Sequence, residues 1–198
     1  MTYLDILEVN IRQSASAKLL FLEDELQLDV FNNAVTAIIK CYLNNGRIYI
    51  AGNGGSAADA QHLAAEFVSK LAKDRDPLPA ESLTVDSSIL TAIGNDYGYD
   101  KIFSRQIAGK MGQNDIFLGI TTSGNSRNII EALDQCKKMK IPTVVLSGFD
   151  GGLAQDKADY CIKATGERTS TIQELHILLA HTICECVERE VFNFYKEK

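Results

Sequence analysis

The alternation of strand-like and helix-like segments constrains the fold of this chain more than any other sequence feature. Short apolar runs predict strands at 47–51, 82–85, 115–121, 142–147 and 159–163, and helices fill 56–72, 87–94, 99–110 and 125–139, with a short one near 152–156. Such alternation is typical of a parallel sheet covered on both faces. We therefore predict an α/β fold, a three-layer αβα sandwich with a five-stranded parallel sheet. Alternation does not determine the strand order, and the order that we expect for this sheet is flavodoxin-like.

Further helices are predicted at both ends of the sequence. The first 45 residues form a helical region that includes a helix over 26–43, and a long final helix runs from Thr171 to about Phe194. Its apolar residues occupy more than one side, which predicts burial on several sides and hence an oligomer. Burial within a single chain would explain the same pattern, and the sequence leaves both explanations open.

Length and composition limit the class of protein. A chain of 198 residues with 45% hydrophobic and 23% charged residues fits one globular domain, 1–198. The net charge of -6 gives no support to a nucleic-acid or anionic-membrane partner. No apolar run approaches the roughly 20 residues that span a bilayer, and no secretory leader is evident, so we expect a cytoplasmic protein. The five cysteines are odd in number and predict reduced thiols.

A glycine-rich loop joins the first predicted strand to the helix that follows it. Gly52, Gly54 and Gly55 allow a tight turn and a close approach to a ligand, and Ser56 can cap the helix or bind an anion. Backbone N–H groups at a helix N-terminus favour anions such as phosphate. The spacing is neither the dinucleotide pattern nor a P-loop, which argues against NAD binding and ATP hydrolysis.

A second loop of this kind follows the third predicted strand. It carries hydroxyls at Thr121, Thr122, Ser123 and Ser126, with Gly124 at the bend. In a flavodoxin-like sheet the first and third strands flank the point where ligands bind. Each loop alone would be read as an ordinary helix cap, but two of them in one small domain predict a phosphate site.

Two helices carry side chains able to bind a metal or move a proton. His62 and Glu66 are four residues apart on one predicted helix, and Gln173 and His181 are eight apart on another, so each pair shares a helix face. Two nitrogen and two oxygen donors could hold a divalent ion such as Zn²⁺. Surface pairs and a satisfied core histidine remain the alternative, and the spacing of His176 indicates no role.

Four motifs in this order resemble those of the phosphoheptose isomerases, which are sugar isomerase (SIS) domain enzymes. They are GNGGSAADAQH at 52–62, IGNDYG at 93–98, TSGNS at 122–126 and IQELH at 172–176, and the similarity extends over nearly the whole chain. The resemblance implies the SIS fold, with the N-terminal helices packing in a homotetramer. It also implies an aldose–ketose isomerase that converts sedoheptulose 7-phosphate to glycero-manno-heptose 7-phosphate, the first step towards nucleotide-activated heptose.

The same resemblance implies roles for particular residues. Glu66 is expected to be the catalytic base and His181 the acid, in active sites shared between subunits. One Zn²⁺ per subunit is expected, held by His62, Glu66, Gln173 and His181. Phosphate is expected on Ser56, Thr121, Ser123 and Ser126, and further substrate contacts are expected from Asn53, Gly54, Gly55, Glu66, Asn95, Asp96, Thr122 and Gln173.

Two positions depart from the pattern of many relatives, because Lys70 and Thr171 stand where they have arginine. Lysine cannot reproduce a bidentate arginine contact and threonine carries no charge, so the changes bear on substrate preference. Three alternatives stay open: a replication-initiator-binding relative, a phosphosugar-sensing module, and an isomerase of another phosphosugar. Glu66 argues against the first, and the second would be expected to carry a DNA-binding segment.

Overall fold

The computed structural model describes residues 1–148 and 150–193, and its five strands form one parallel sheet in the order β2-β1-β3-β4-β5. The strands are β1 (Ile48–Gly52), β2 (Ala80–Ser82), β3 (Ile116–Thr121), β4 (Thr143–Ser147) and β5 (Tyr160–Lys163). The helices are α1 (Tyr3–Glu23), α2 (Glu25–Leu43), α3 (Gly55–Val68), α4 (Ser87–Tyr97), α5 (Ser104–Lys110), α6 (Arg127–Met139) and α7 (Thr169–Val191), with 3₁₀ turns at Tyr99–Lys101 and Gly152–Ala154. The predicted α/β fold and strand order are confirmed.

Each strand contributes alternate side chains to two apolar layers, one on each face of the sheet. Ile48 and Ile50 of β1 face the layer covered by α2, α3 and α7, whereas Tyr49 and Ala51 face the layer covered by α5 and α6. Both faces of β1 are buried because helices cover each side of the sheet. Its two edges are paired with β2 and β3. The three-layer arrangement therefore follows from strands that are apolar on both sides.

Several predicted element boundaries differ from the observed ones. The second strand was predicted over 82–85 but ends at Ser82, because Ser82 Oγ bonds Thr84 Oγ1 at 2.8 Å and Asp86 then caps α4. The helix predicted over 99–110 is divided into a 3₁₀ turn and α5. The final helix begins two residues earlier than predicted and ends at Val191, and Phe194 lies outside the described residues.

The cysteines are reduced, as the sequence predicts. All five thiols are free, and burial raises the pKa of Cys41 and Cys136 to about 12, which keeps these two thiols protonated. None of the described helices combines the length and the apolar character needed to cross a membrane.

The N-terminal helix leaves much of its apolar surface uncovered within one chain. Thr2 caps α1 in a reciprocal pair with Asp5, and the helix packs on α7. Leu4, Ile11 and Leu19 are nevertheless 75%, 59% and 62% exposed. An exposed apolar face of this extent is typical of a surface that binds another protein chain.

His176 is a buried histidine of α7 that supports the end of β4. Its Nε2 lies 2.9 Å from the Ser147 carbonyl oxygen, and its Nδ1 has no hydrogen-bond partner among the described residues. Burial lowers the pKa of His176 to about 4, so the imidazole is neutral at pH 7 and donates from Nε2.

His176 is expected to make the protein sensitive to acid. In the unfolded chain its pKa is about 6.5, so as the pH falls from 6.5 towards 4 only the unfolded state takes up this proton, and the free energy of unfolding falls by about 3 kcal/mol. His176→Gln keeps an N–H donor but does not titrate. Urea unfolding at several pH values should show the wild-type stability falling more steeply than that of the variant, and parallel curves would contradict the assignment.

Candidate active site

The two predicted loops lie side by side at the carboxyl ends of neighbouring strands. Strands β1 and β3 pair in parallel, with Gly52 opposite Ile120, so the loops that follow them emerge at the same end of the strands. One loop leads into α3 and the other into α6. The N-termini of two helices therefore lie together at the carboxyl end of the sheet, as the sequence predicts.

The first loop presents an open helix N-terminus. Gly54 is the N-cap of α3 with φ +55°, and no side chain of the described residues caps this helix. The Ser56 side chain is buried at the first turn, and its N–H donates to the Asn53 carbonyl at 3.0 Å. A Cβ on Gly52 would lie 2.4 Å from the Ser56 carbonyl oxygen, so the tight turn requires glycine there.

The second loop is held by its own hydroxyls and by the 3₁₀ turn at Gly152–Ala154, whose contact with the loop the sequence did not indicate. Thr121 Oγ1 and Ser126 Oγ lie 2.9 Å apart, and Ser123 Oγ accepts from the Asn125 N–H at 3.1 Å. The 3₁₀ turn beneath the loop supports it, because the Ala154 N–H donates to the Gly124 carbonyl at 2.9 Å. Ser126 precedes α6 without a side-chain capping bond, so this helix end is also available to an anion.

Asn53 links the two loops through contacts that were not predicted. Its amide exchanges two hydrogen bonds with the buried Asn128 of α6, at 2.9 and 2.8 Å, and its Oδ1 also accepts from the Tyr99 hydroxyl at 2.9 Å. These bonds fix the orientation of the Asn53 amide and leave one of its N–H bonds available to a ligand. No local spacing relates residues 75 positions apart, which explains why sequence reasoning missed this pair.

Three of the four predicted metal ligands come together between α3 and α7. Nitrogen and oxygen atoms of His62, Glu66 and His181 all lie within 4.8 Å of one another. The two histidine Nε2 atoms are 2.9 Å apart, and His62 Nε2 is 3.4 Å from Glu66 Oε1. Two imidazole nitrogens beside a carboxylate suit a divalent transition-metal ion, so the side chains present fit the predicted group.

Gln173, the fourth predicted ligand, lies against the start of α3. A Cβ on Gly55 would be 2.7 Å from Gln173 Nε2, so the amide covers the glycine-rich loop. The Gln173 amide is therefore close enough to contact a ligand that the loop holds.

The remaining predicted substrate residues occupy the edges of the site. Asn95 and Asp96 lie at the exposed carboxyl end of α4, where the Asn95 amide donates to Asp96 at 2.8 Å. Thr122 instead lines a cavity of about 630 Å³ between α1 and the start of α7. Thr171 lines the same cavity together with Arg168. Lys70 pairs with Asp74 at the far end of α3.

An α/β sheet that brings two uncapped helix N-termini together with a cluster of histidine and carboxylate groups is typical of proteins that act on small phosphorylated ligands. The sequence profile of the SIS domain matches residues 12–148. The chain is 49% identical over 188 residues to the phosphoheptose isomerase of Aneurinibacillus thermoaerophilus, which covers 95% of each chain. It is 50% identical over 171 residues to phosphoheptose isomerase 2 of Campylobacter jejuni, which covers 86% of this chain and 85% of the relative.

Solved structures give the same result. The phosphoheptose isomerase of Neisseria gonorrhoeae aligns over 94% of this chain and 99% of its own, with a TM-score of 0.88 and 38% identity. That of Francisella tularensis aligns over 96% and 100%, with a TM-score of 0.90 and 32% identity. The chain belongs to the SIS domain family, and within that family to the phosphoheptose isomerases.

Gly124→Ala is expected to weaken anion binding at the second loop. Gly124 has φ +65°, and a Cβ there would lie 2.1 Å from the Gly151 carbonyl oxygen. The loop must shift or accept strain of about 1–3 kcal/mol. Calorimetric titration with inorganic phosphate should therefore show weaker binding.

Gly109→Ala is the matched control, because Gly109 lies in α5 with no atom within 4 Å of the added Cβ. Its phosphate affinity should match that of the wild type. Equal affinities in the Gly124 and Gly109 variants would contradict the role assigned to the loop.

Proposed function

We propose that this chain interconverts D-sedoheptulose 7-phosphate and D-glycero-D-manno-heptose 7-phosphate, the first step in the synthesis of nucleotide-activated heptose. Membership of the phosphoheptose isomerases supports the substrate class. The observation that carries the proposal is the convergence of His62, Glu66 and His181 on a helix pair whose N-terminal loop is open to phosphate. A sensor of phosphosugars would need the loop but not the cluster.

The geometry of α3 suits a long phosphorylated sugar. At about 1.5 Å of rise per residue, His62 lies about 9 Å along the helix from Ser56. A seven-carbon chain with a terminal phosphate can bridge that separation. We assign the phosphate to Ser56, Thr121, Ser123 and Ser126, and the reacting carbons to the other end of the site.

Interconversion moves one hydrogen between adjacent carbons and passes through an enediolate. Glu66 takes the proton from C1 of the ketose, and the electron pair of that C–H bond forms the C1–C2 double bond while negative charge collects on the C2 oxygen. Return of a proton to C2, with transfer of the O1 proton to the C2 oxygen, gives the aldose. In this second half Glu66 returns its proton to C2, while His181, as the acid, gives a proton to the C2 oxygen and takes the O1 proton in its place. Asn53 and Gln173 orient the hydroxyls.

His62, Glu66, His181 and Gln173 are the residues that would hold one Zn²⁺ per subunit. The ion supplies Lewis-acid stabilisation of the developing oxygen charge when it is bound. The nitrogen and oxygen donors of the first three residues, within 4.8 Å of one another, support this assignment.

We also propose that the working form is a homotetramer with active sites shared between subunits. The exposed apolar residues of α1 and the exposure of Asn95, Asp96 and Tyr99 in one chain support this assembly. Residues of a second chain would then complete the site near the carboxyl end of α4.

Substitution of the proposed base and acid should abolish most of the activity. Glu66→Gln and His181→Ala are each expected to lower kcat by about 10²–10⁴-fold, because each removes a proton-transfer group. Turnover is measured against a panel of ketose phosphates, and oligomer size is measured by sedimentation. Glu185→Gln, on an exposed carboxylate of α7, is the control that keeps wild-type kcat.

The panel also separates the competing functions. A protein that binds these sugars without turning any of them over would be a sensing module. A preference for another ketose phosphate would identify a different isomerase. Unchanged kcat in both site variants would show that Glu66 and His181 have been assigned the wrong roles.

Removal of metal should lower the activity reversibly. Dialysis against a chelator is expected to remove most turnover, and added Zn²⁺ should restore it, with about one ion per chain by elemental mass spectrometry. His62→Ala should bind less metal than the wild type. Full activity in metal-free protein would overturn the zinc assignment while leaving the isomerase assignment in place.

A further inference from the structure

Arg75 and Glu188 form a buried ion pair that the proposed reaction does not use. Arg75 Nη2 lies 2.7 Å from Glu188 Oε1, and the two side chains are only 1% and 3% exposed. Arg75 belongs to the connection between α3 and β2, yet its side chain turns inward beneath the end of α3. Charges buried this deeply are costly unless every hydrogen-bonding atom is satisfied.

The guanidinium holds the carboxyl end of α3. Arg75 Nη2 donates to the Glu66 carbonyl oxygen at 2.9 Å, and Nη1 donates to the carbonyl oxygens of Phe67 at 2.7 Å and Ser69 at 3.3 Å. These carbonyls have no partner in the helix because it ends at Val68. A positive charge at this end also complements the helix dipole. One of the three carbonyls belongs to the proposed base itself.

Glu188 connects the same guanidinium to α7. Its Oε1 accepts from Arg75 Nε at 2.9 Å and from the Leu71 N–H at 3.0 Å. Glu188 follows His181 by seven residues, two turns further along the same face of α7. The Arg75 guanidinium also lies 5.5 Å from the centre of the Phe192 ring. Arg75 thus contacts both helices that carry the metal cluster.

We propose that Arg75 and Glu188 are positioning residues, which fix the last turn of α3 against α7 so that Glu66 and His62 of α3 meet His181 of α7. The inference rests on the proposed function, since the cluster they position is the proposed metal and base site. A local cap could satisfy the carbonyls of α3 by itself. Only a group shared between the helices can also set their separation, and the planar fork of arginine holds several acceptors in fixed directions.

The double variant Arg75→Met with Glu188→Met tests this role. It removes both charges together, so neither is left buried without a partner, and the fold is expected to survive. We expect kcat to fall about 10-fold to 100-fold and Zn²⁺ affinity, measured by competition with a chelator, to fall by a similar factor. KM and the affinity for inorganic phosphate should stay within about twofold, because the phosphate loop lies at the other end of α3.

Two further variants complete the experiment. Arg75→Lys keeps the charge but not the fork, and it should lose kcat and Zn²⁺ affinity in the same sense while remaining folded, so it decides the matter if the double variant does not fold. Lys157→Met with Asp134→Met removes a more exposed ion pair remote from the cluster and should leave all four quantities unchanged.

Each outcome has a separate meaning. Wild-type kcat and Zn²⁺ affinity in the Arg75 variants would overturn the inference while leaving the proposed function intact. A parallel loss of kcat, KM, phosphate affinity and melting temperature would also overturn it, because that pattern indicates general loosening. A wild-type protein without turnover but with bound metal would refute the proposed reaction, and the metal affinities would still decide the positioning role. Wild-type protein lacking both would refute both proposals.

Discussion

Parallel pairing of β1 with β3 is the constraint on which the rest of the site depends. Because the two strands run the same way and Gly52 lies opposite Ile120, the loops that lead into α3 and α6 both emerge at the carboxyl end of the strands. An antiparallel pairing would place the two loops at opposite ends of the strands and separate the hydroxyl and N–H groups that they offer to an anion. The reciprocal amide bonds between Asn53 and Asn128 then join the loops directly, so the pairing of the strands extends into the site.

Helix α3 connects the two parts of the site, the loop at its N-terminus and the histidine and carboxylate cluster further along it. Its N-terminus offers backbone N–H groups to an anion, and its carboxyl half presents His62 and Glu66 towards α7. A helix is stiff over this length, so the spacing of the two ends is fixed by the number of residues between them. Arg75 closes the far end by bonding the Glu66 carbonyl and Glu188. The carboxyl end of this helix is therefore held by a cation and its N-terminus is open to an anion, each in the sense that the helix dipole favours.

The sequence predicted those parts of the structure that repeat locally and missed those that depend on distant residues. Strand and helix periodicity identified the parallel sheet and most elements, and the i, i+4 spacing identified His62 and Glu66 as neighbours. Arg75 with Glu188 and Asn53 with Asn128 left no local signal, because each pair is brought together only by the packed sheet and helices. The boundary of β2 was wrong for a local reason, since the Ser82 side chain bonds Thr84 two residues further on and the strand ends there despite the apolar residues Leu83 and Val85.

The exposure of the site in a single chain bears on how the proposed chemistry could proceed. His62 has a side chain 49% exposed, and Asn95, Asp96 and Tyr99 lie on the surface. An enediolate is a charged intermediate whose stabilising dipoles act more strongly where water is excluded. A second chain covering this edge would supply that exclusion, and the uncovered apolar residues of α1 give the same molecule a surface that favours association. Catalysis and assembly would then be coupled, because the site would be shielded from water only in the oligomer.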